Sequence, residues 1–254
     1  MPRLSWKILS GEENVIQNAY EIRVADSPSS LNAKNQLLWS SGKVESDQSV
    51  HVEYKGPPLE SMQRVYWQVR IRDNHGKRSK WSKVAYWEMG ILPDTQWKAD
   101  WISSTWEEDL TASMPSPYLR KVLKIEKKIM DARLYISSHG LYQVEINGRR
   151  VGDQEFTPGW TSYDHRLQYQ TYDVTSLLSK GENAMGIVLG DGWYRGNLAW
   201  NDNRNIWGEK LSALARLAVT YGDGSTEVVG TDASWKASKG AILKSDIYNG
   251  EVFD

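Results

Sequence analysis

The sequence predicts an all-β protein built from two antiparallel β-sandwiches. Three observations support this fold class. Apolar and polar residues alternate in short runs, which is the period of a half-buried strand. Glycine, asparagine, aspartate and proline separate these runs at intervals of about ten residues, as expected for hairpin turns. No stretch of the 254 residues sustains a helical period.

Residues 1–92 form the first predicted sandwich, with strands in "AYEIRVAD" (19–26), "SVHVEY" (49–54), "VYWQVRIRDNHG" (65–76) and "AYWEMG" (85–90). Residues 93–104 are a predicted junction, because Pro93 and Asp94 break the strand pattern. Trp97 and Trp101 lie within this junction. A free linker would be polar, so we expect the two tryptophans to hold the junction against both neighbouring sandwiches in a fixed position.

Residues 105–254 form the second predicted sandwich. Asn147-Gly148 follows an alternating run and predicts a hairpin with a type I′ turn, in which both central residues need positive φ. A second hairpin is predicted to close near Asp223-Gly224. Residues 172–183 predict one short helical turn, capped by Asp173 or Thr175 and ended by Gly181.

The composition argues against several classes of partner. The net charge is −1 and no long basic run occurs, so we expect no nucleic-acid partner. No apolar run approaches the length of a bilayer span, so we expect no membrane partner. The chain has no cysteine, which excludes disulfides and thiolate metal sites.

The aromatic usage is unusual, with 13 Trp and 13 Tyr but only 2 Phe. Trp and Tyr present a flat apolar ring with a polar handle. Carbohydrate-handling proteins use such rings because the C–H face of a sugar stacks on them. The same rings also serve as core residues in β-sandwiches, so the composition leaves both interpretations open.

The stretch "LGDGWYRG" (189–196) does not fit a phosphate loop. Its glycines are spaced G-x-G-x-x-x-G, one residue longer than the dinucleotide fingerprint, and bulky side chains occupy the place of close approach. The four histidines are scattered, and residues 201–205 lack the register of a calcium loop. We therefore predict no metal and no cofactor. The carboxylates at 107–109, Asp153 and Glu155 are predicted to be solvated.

The ordered motifs in residues 140–196 closely resemble the N-terminal region of bacterial α-L-rhamnosidases. These motifs are "INGRRVG", "PGWTSY", "YQTYDVT", "GEN" and "LGDGWYRG", and the closing "GEVFD" (250–254) resembles the family's Gly-Glu-x-x-Asp. Residues 1–92 resemble the fibronectin-III-like module that often precedes this region, through "AYEIRVA", "WSSGKV", "YWQVRIRDNHG" and "KWS". The resemblance implies a fibronectin-III/immunoglobulin-like sandwich followed by a jelly-roll/galactose-binding-like one.

This resemblance implies a parent glycoside hydrolase that removes terminal α-L-rhamnose with inversion. The family's general acid and base are carboxylates in a helical (α/α)₆ barrel, and inversion needs them far enough apart to admit a water. The chain has neither the length nor the helical periodicity for that barrel, so we expect no catalytic residue in it. The implied partners are the missing barrel and, through the full-length enzyme, a rhamnose-containing glycan.

Some members of the family carry a related sandwich that binds rhamnose through calcium with an Asp-Asn pair. Here His139-Gly140 stand in that place, so no metal ligand is carried over. "LGDGWYRGNLAW" (189–200) and "PGWTSY" (158–163) are predicted to present side chains at one rim, for sugar contact or for docking of another domain. The candidates are Trp160, Tyr163, Asp191, Trp193, Tyr194, Arg195 and Trp200.

Three functional hypotheses remain open at this point. The first is the scaffold and substrate-positioning portion of an α-L-rhamnosidase, inactive by itself. The second is an autonomous carbohydrate-binding module, and the third is a fibronectin-like interaction protein. A docking face predicts that at least two rings among Trp160, Trp193, Tyr194 and Trp200 are partly exposed.

Overall fold

The computed structural model describes residues 1–33, 36–93 and 96–254. Asp94, predicted to break the strand pattern, lies outside the described residues. The chain divides into two compact units, Met1–Gln96 and Trp97–Asp254. All strand pairs among the described residues are antiparallel, and the one α-helix found there has four residues. The predicted all-β fold class is confirmed.

The first unit is built around one long central pair of strands. Period-two alternation places Ile22 and Val24 of one strand and Val65 and Val69 of the other in its core. The strands are β1 (Arg3–Leu4), β2 (Gln17–Ala25), β3 (Leu37–Ser40), β4 (Val44–Glu45), β5 (Val52–Glu53), β6 (Arg64–Asp73) and β7 (Ala85–Glu88). The order of strands in the main sheet is β3-β2-β6-β7, β4 also pairs with β2, and β1 pairs with β5.

The second unit stacks a five-stranded sheet on a four-stranded sheet. The strands are β8 (Pro117–Ile125), β9 (Ile129–His139), β10 (Leu141–Ile146), β11 (Arg149–Arg150), β12 (Gln170–Asp173), β13 (Gly181–Gly190), β14 (Ser212–Tyr221), β15 (Thr226–Gly230), β16 (Lys236–Lys239), β17 (Ile242–Asp246) and β18 (Gly250–Phe253). The strand order of the five-stranded sheet is β11-β10-β13-β8-β16, and that of the four-stranded sheet is β12-β9-β14-β15. Strands β17 and β18 form a separate pair.

The central strands of the two sheets differ in how many faces they bury. Strand β13 alternates strictly, with Met185, Ile187 and Leu189 in the core and the intervening residues outside. Residues 132–138 of β9 are buried without a break, so both of its faces are covered. A sheet buried on both faces loses the alternation that marks a strand in sequence. The five-stranded sheet therefore leaves its outer face available, and the four-stranded sheet does not.

The predicted turns of the second unit are found. Asn147 (φ 54°) and Gly148 (φ 73°) have positive φ between β10 and β11, as the type I′ prediction requires. The hairpin of β14 and β15 closes through Asp223-Gly224, where Gly224 has φ 81°. A short 3₁₀ turn, Thr175–Leu177, follows β12, and the Asp173 carboxylate accepts the backbone N–H of Thr175 at 3.1 Å. The prediction that Gly181 ends this turn is wrong, because the turn ends at Leu178 and Gly181 is the first residue of β13.

The junction residues of the second unit run along its four-stranded sheet. The backbone of Ile102 pairs with that of Ala213 in β14, at 2.8 and 2.9 Å. Trp97 packs edge-on against Tyr169, with ring centroids 5.2 Å apart, and Trp101 stacks on His139 at 4.3 Å. The two tryptophans thus hold this segment against rings of their own unit.

Candidate functional site

The glycines of "LGDGWYRG" allow the chain to turn sharply at the end of β13. The following residues, Gly192–Arg195, form the four-residue helix α1. Gly192 has φ 54°, and a Cβ there would lie 2.5 Å from Cγ of Leu141. Gly140 has φ 100°, and its Cβ would lie 2.5 Å from the carbonyl oxygen of Gly190. These glycines serve close packing of the protein on itself rather than a phosphate.

Five charged side chains at this turn form a buried ion chain, in the order Glu108, Arg195, Asp191, Arg204, Asp246. Arg195 Nε donates to Asp191 Oδ1 at 2.7 Å and contacts the Glu108 carboxylate. Arg204 lies 3.2 Å from both the Asp191 and the Asp246 carboxylates. The side chains of Asp191 and Asp246 are 2% and 0% exposed. Burying charges is unfavourable unless they are paired, so the ion chain is stable only when all five charged side chains are present.

Neutral donors complete the ion chain. Ser113 Oγ donates to Asp191 Oδ2 at 2.8 Å, and the backbone N–H of Asn197 donates to Asp246 Oδ2 at 2.8 Å. Burial raises the pKa of Asp246, but backbone N–H bonds from Asn197 and the β17–β18 turn, together with Arg204, outweigh it and leave the pKa lowered. The ion chain therefore fastens three separate segments together: 108–113, 191–205 and the end of β17.

The ion chain shows that one carboxylate predicted to be solvated is buried, and it contains two residues that were not among the predicted candidates. Glu108 was predicted to be solvated, but its side chain is only 8% exposed because Arg195 pairs with it. Asp109, Asp153 and Glu155 are exposed, as predicted. Arg204 and Asp246 were missed, because their partners are 13 and 42 residues away in sequence and no local pattern marks such pairs.

Three rings form an exposed aromatic ledge beside α1: Phe156, Trp160 and Trp193. Trp160 and Trp193 stack with centroids 6.0 Å apart and planes 11° apart, and Phe156 lies 5.9 Å from Trp193. Trp160 is 52% exposed and Phe156 is 60% exposed. Phe156 also adopts φ 56°, which is rare for a bulky residue.

Tyr163 and Tyr194 belong to a second, more enclosed row of rings. His139 stacks between Trp101 and Tyr194, at 4.3 and 4.9 Å, and Tyr194 meets Tyr163 edge-on at 5.2 Å. Burial, with the neighbouring Tyr194, raises the pKa of Tyr163 to about 12. Burial lowers the pKa of His139, whose Nδ1 lies 2.8 Å from Ser212 Oγ. These rings pack on each other and are not free platforms for a ligand.

Trp200 stands apart on a loop with unusual backbone geometry. It is 83% exposed, and Ala199, Asn201 and Asp202 around it all have positive φ. Asn203 Nδ2 donates to the Trp200 carbonyl at 2.8 Å. Arg204, four residues after Trp200, is anchored in the ion chain. The loop is thus fixed at its base and presents one large ring to solvent.

The seven candidate residues therefore fall into four environments. Asp191 and Arg195 lie in the buried ion chain, Tyr163 and Tyr194 in the enclosed row, Trp160 and Trp193 on the ledge, and Trp200 on its loop. The predicted exposure of at least two of the four named rings is confirmed by Trp160 and Trp200. Sequence reasoning missed Phe156, although its position just before "TPGW" was a usable signal.

Among the described residues, no group of three or more His, Asp or Glu side chains is arranged to hold a metal ion. No helix in residues 1–33, 36–93 or 96–254 is long and apolar enough to cross a bilayer.

The chain is similar to known proteins over its whole length. Two curated α-L-rhamnosidases, from Formosa agariphila and Alteromonas sp. (strain LOR), are 40% and 38% identical to it over 100% of the chain. The crystal structure of an Aspergillus terreus α-L-rhamnosidase superposes with a TM-score of 0.90 at 38% identity, covering 100% of this chain and 29% of that one. A Streptomyces avermitilis α-L-rhamnosidase in complex with L-rhamnose gives 0.92 at 26%, covering 100% and 40%.

The match is confined to part of each relative. The chain spans 28% of the length of the Formosa and Alteromonas proteins. A sequence family described as Rha78A-like, N-terminal immunoglobulin domain matches residues 1–93. The family described as alpha-L-rhamnosidase N-terminal domain matches residues 127–254, which include the ion chain apart from Glu108, and the aromatic ledge. The chain belongs to the α-L-rhamnosidase N-terminal domain family.

Proposed function

We propose that this chain is the non-catalytic N-terminal part of an α-L-rhamnosidase, an enzyme that removes terminal α-L-rhamnose from glycans. The observation that carries this proposal is the pattern of coverage. Relatives of that activity match the chain from end to end, while the chain spans only 28% of the two curated relatives named above. In the longer protein, the chain would supply a scaffold that positions the catalytic part and its substrate.

The buried carboxylates of the chain are poorly suited to glycoside hydrolysis. An inverting glycosidase needs one carboxylic acid that is protonated near neutral pH and a second carboxylate that activates water. Glu108, Asp191 and Asp246 all pair with arginine, and their side chains are at most 8% exposed, so none of them faces open solvent where a substrate would bind. The lowered pKa of Asp246 also opposes a role as general acid. These groups support a structural role for the ion chain.

The aromatic ledge is the part of the surface best suited to dock the catalytic part. Large exposed apolar rings on a monomer commonly mark an interface. Phe156 and Trp160 are each more than half exposed, and both lie in the loop between β11 and β12. One ring of the ledge, Trp193, belongs to α1, which the ion chain holds in place through Arg195. A rigid support under exposed rings favours docking of a large partner over a mobile contact.

Hydrolysis of an aryl α-L-rhamnoside tests the proposal directly. The 254-residue chain should release no aryl alcohol above the buffer rate, and the longer protein encoded by the same gene should be active. The control is an equal amount of the chain carrying Asp191→Asn, prepared in parallel. Turnover by the chain that copurifies with it and disappears in the Asp191→Asn variant would overturn the proposal. An inactive longer protein would overturn it as well.

A further inference from the structure

The outer face of the five-stranded sheet carries a groove that the ion chain does not use and that shares only Phe156 with the ledge. Its volume is about 940 Å³, within the range of roughly 300–1,000 Å³ typical of small-molecule sites. Outward-facing residues of β8, β10 and β13 form its floor, and the two phenylalanines of the chain, Phe156 and Phe253, stand at its rim. Phe253 is 70% exposed.

A glycine at the middle of the floor has no explanation within the protein. Strand β13 contains three glycines. Gly181 has φ 105°, which favours glycine, and a Cβ at Gly190 would lie 2.9 Å from Ser245 Oγ, so each of these two positions has a local reason for glycine. Gly186 has no positive φ, and its Cβ would meet nothing nearer than the Leu119 carbonyl oxygen at 4.0 Å. Glycine inside a strand weakens it and often marks a place where a ligand approaches the backbone.

Opposite charges flank this glycine on the two neighbouring strands. The register places Glu145 of β10 and Arg120 of β8 directly beside Gly186. Their strands are two spacings apart, about 9–10 Å, so the two side chains are not forced to pair with each other. Both are exposed. Within the described residues, neither side chain has a hydrogen-bond or salt-bridge partner.

The next row of the sheet adds a neutral polar group and apolar surface. Gln143 lies beside Val188, and Val188 lies beside Tyr118. The floor between the polar groups consists of Ala184, Gly186 and Val188, which are small or apolar. A pyranose ring has the matching chemistry, with an apolar C–H face and hydroxyl groups at its edge that both donate and accept. Arginine offers only donors, glutamate only acceptors and glutamine both.

We propose that this groove binds one pyranose ring of a neutral glycan above Gly186. The ring lies on Ala184, Gly186 and Val188. Glu145 and Arg120 form hydrogen bonds with hydroxyl groups on opposite sides of the ring, and Gln143 forms one with a third hydroxyl group. The site lies outside the predicted candidates and needs no metal ion. The choice of a rhamnoside as the probe rests on the proposed function, whereas the location of the groove does not.

An NMR titration of the 254-residue chain with methyl α-L-rhamnopyranoside tests the site. We expect saturable shifts of the Ala184, Gly186 and Val188 amide resonances in the millimolar range. Gly186→Leu fills the floor without a strained φ and should weaken binding by at least about tenfold. The matched control is Glu182→Leu, which lies on the same strand and face, about 13 Å away, and should bind as the parent does.

Two polar variants and a second probe protect the test from a folding artefact. Glu145→Gln preserves side-chain size and Arg120→Gln shortens the side chain, both at exposed positions, and both should weaken binding while leaving the unfolding midpoint unchanged. Equal shifts with glycerol, unchanged binding in Gly186→Leu, or no shift in β13 would overturn the site. Those results would leave the proposed function standing, because it is tested by the activity of the longer protein and not by sugar binding to this chain.

Discussion

At the scale of single residues, the aspartate and arginine of "LGDGWYRG" are structural anchors. Asp191 accepts hydrogen bonds from Arg195, Arg204 and Ser113. Breaking a buried ion pair from one side costs more than the pair contributes, because the remaining charge stays buried without a partner. The motif thus makes the turn after β13 dependent on residues far away in sequence.

Arg204→Met provides the sharpest test of this role. The substitution keeps much of the side-chain volume but leaves Asp191 and Asp246 without that cation, and we expect a loss of about 3–5 kcal/mol in the free energy of unfolding. Urea unfolding followed by tryptophan fluorescence measures it. The control is Arg150→Met, whose pair with Glu155 is solvent-exposed. Equal losses in the two variants would show that the ion chain is not a stabilising unit.

His139 gives the second unit a predictable pH dependence. Burial lowers its folded-state pKa below the unfolded value of about 6.5, so the unfolded state binds more protons in that window. The stability contributed by neutral His139 is complete above about pH 6.5 and declines as the pH falls below it. In His139→Gln, the unfolding free energy between about pH 7.5 and 5.5 should fall less steeply. Parallel slopes would contradict the assignment.

At the scale of elements, the turns were predictable because their signals are local. Asn147-Gly148 and Asp223-Gly224 each carry the backbone preference of the turn they form. No local pattern predicts α1, since four residues are too few for a helical period. The burial of Glu108 was also not predicted, because its partner Arg195 is 87 residues away. Local patterns predict strands and turns, whereas long-range pairing decides which charges are buried.

Comparing a glycine of the β14–β15 hairpin with a glycine of the turn after β13 separates the cost of backbone strain from the cost of close packing. Gly224→Ala places alanine at positive φ with no neighbour within 4 Å, and should cost about 1–2 kcal/mol. Gly192→Ala adds a clash with Leu141 and should cost about 1–3 kcal/mol more. Urea unfolding measures both. Adding Leu141→Ala to Gly192→Ala should recover part of the extra loss of stability. If Gly192→Ala is no less stable than Gly224→Ala, the close approach of Gly192 to Leu141 is unimportant.

At the scale of the whole molecule, each compact unit has a hydrophobic core of its own. One core is centred on Ile22, Val65 and Val69, and the other on Leu134, Ile187 and Leu217. The exposed rings of the second unit are therefore not the result of an incomplete core. The motif series predicted the family and the general location of the rings, but it did not reveal which rings are enclosed and which are free.

The proposed docking role predicts that the effect of Trp160→Ser depends on the length of the chain. A tryptophan side chain buries about 150–250 Å². Trp160 is 52% exposed in this chain, so docking could bury roughly a further 100 Å², worth about 2.5 kcal/mol. Trp160→Ser should therefore destabilise the longer protein by about 2.5 kcal/mol more than it destabilises the 254-residue chain, as measured by urea unfolding of both.

The control for this comparison is Tyr86→Ser, an aromatic residue of the first unit that is 62% exposed. Its effect should be the same in the two proteins, because no ledge residue is involved. Trp200→Ser in the same pair of proteins asks whether the neighbouring loop shares the interface. If Trp160→Ser has the same effect in both lengths of chain, the ledge does not dock the catalytic part. The stack of Trp160 on Trp193 would then only stabilise the loop before β12.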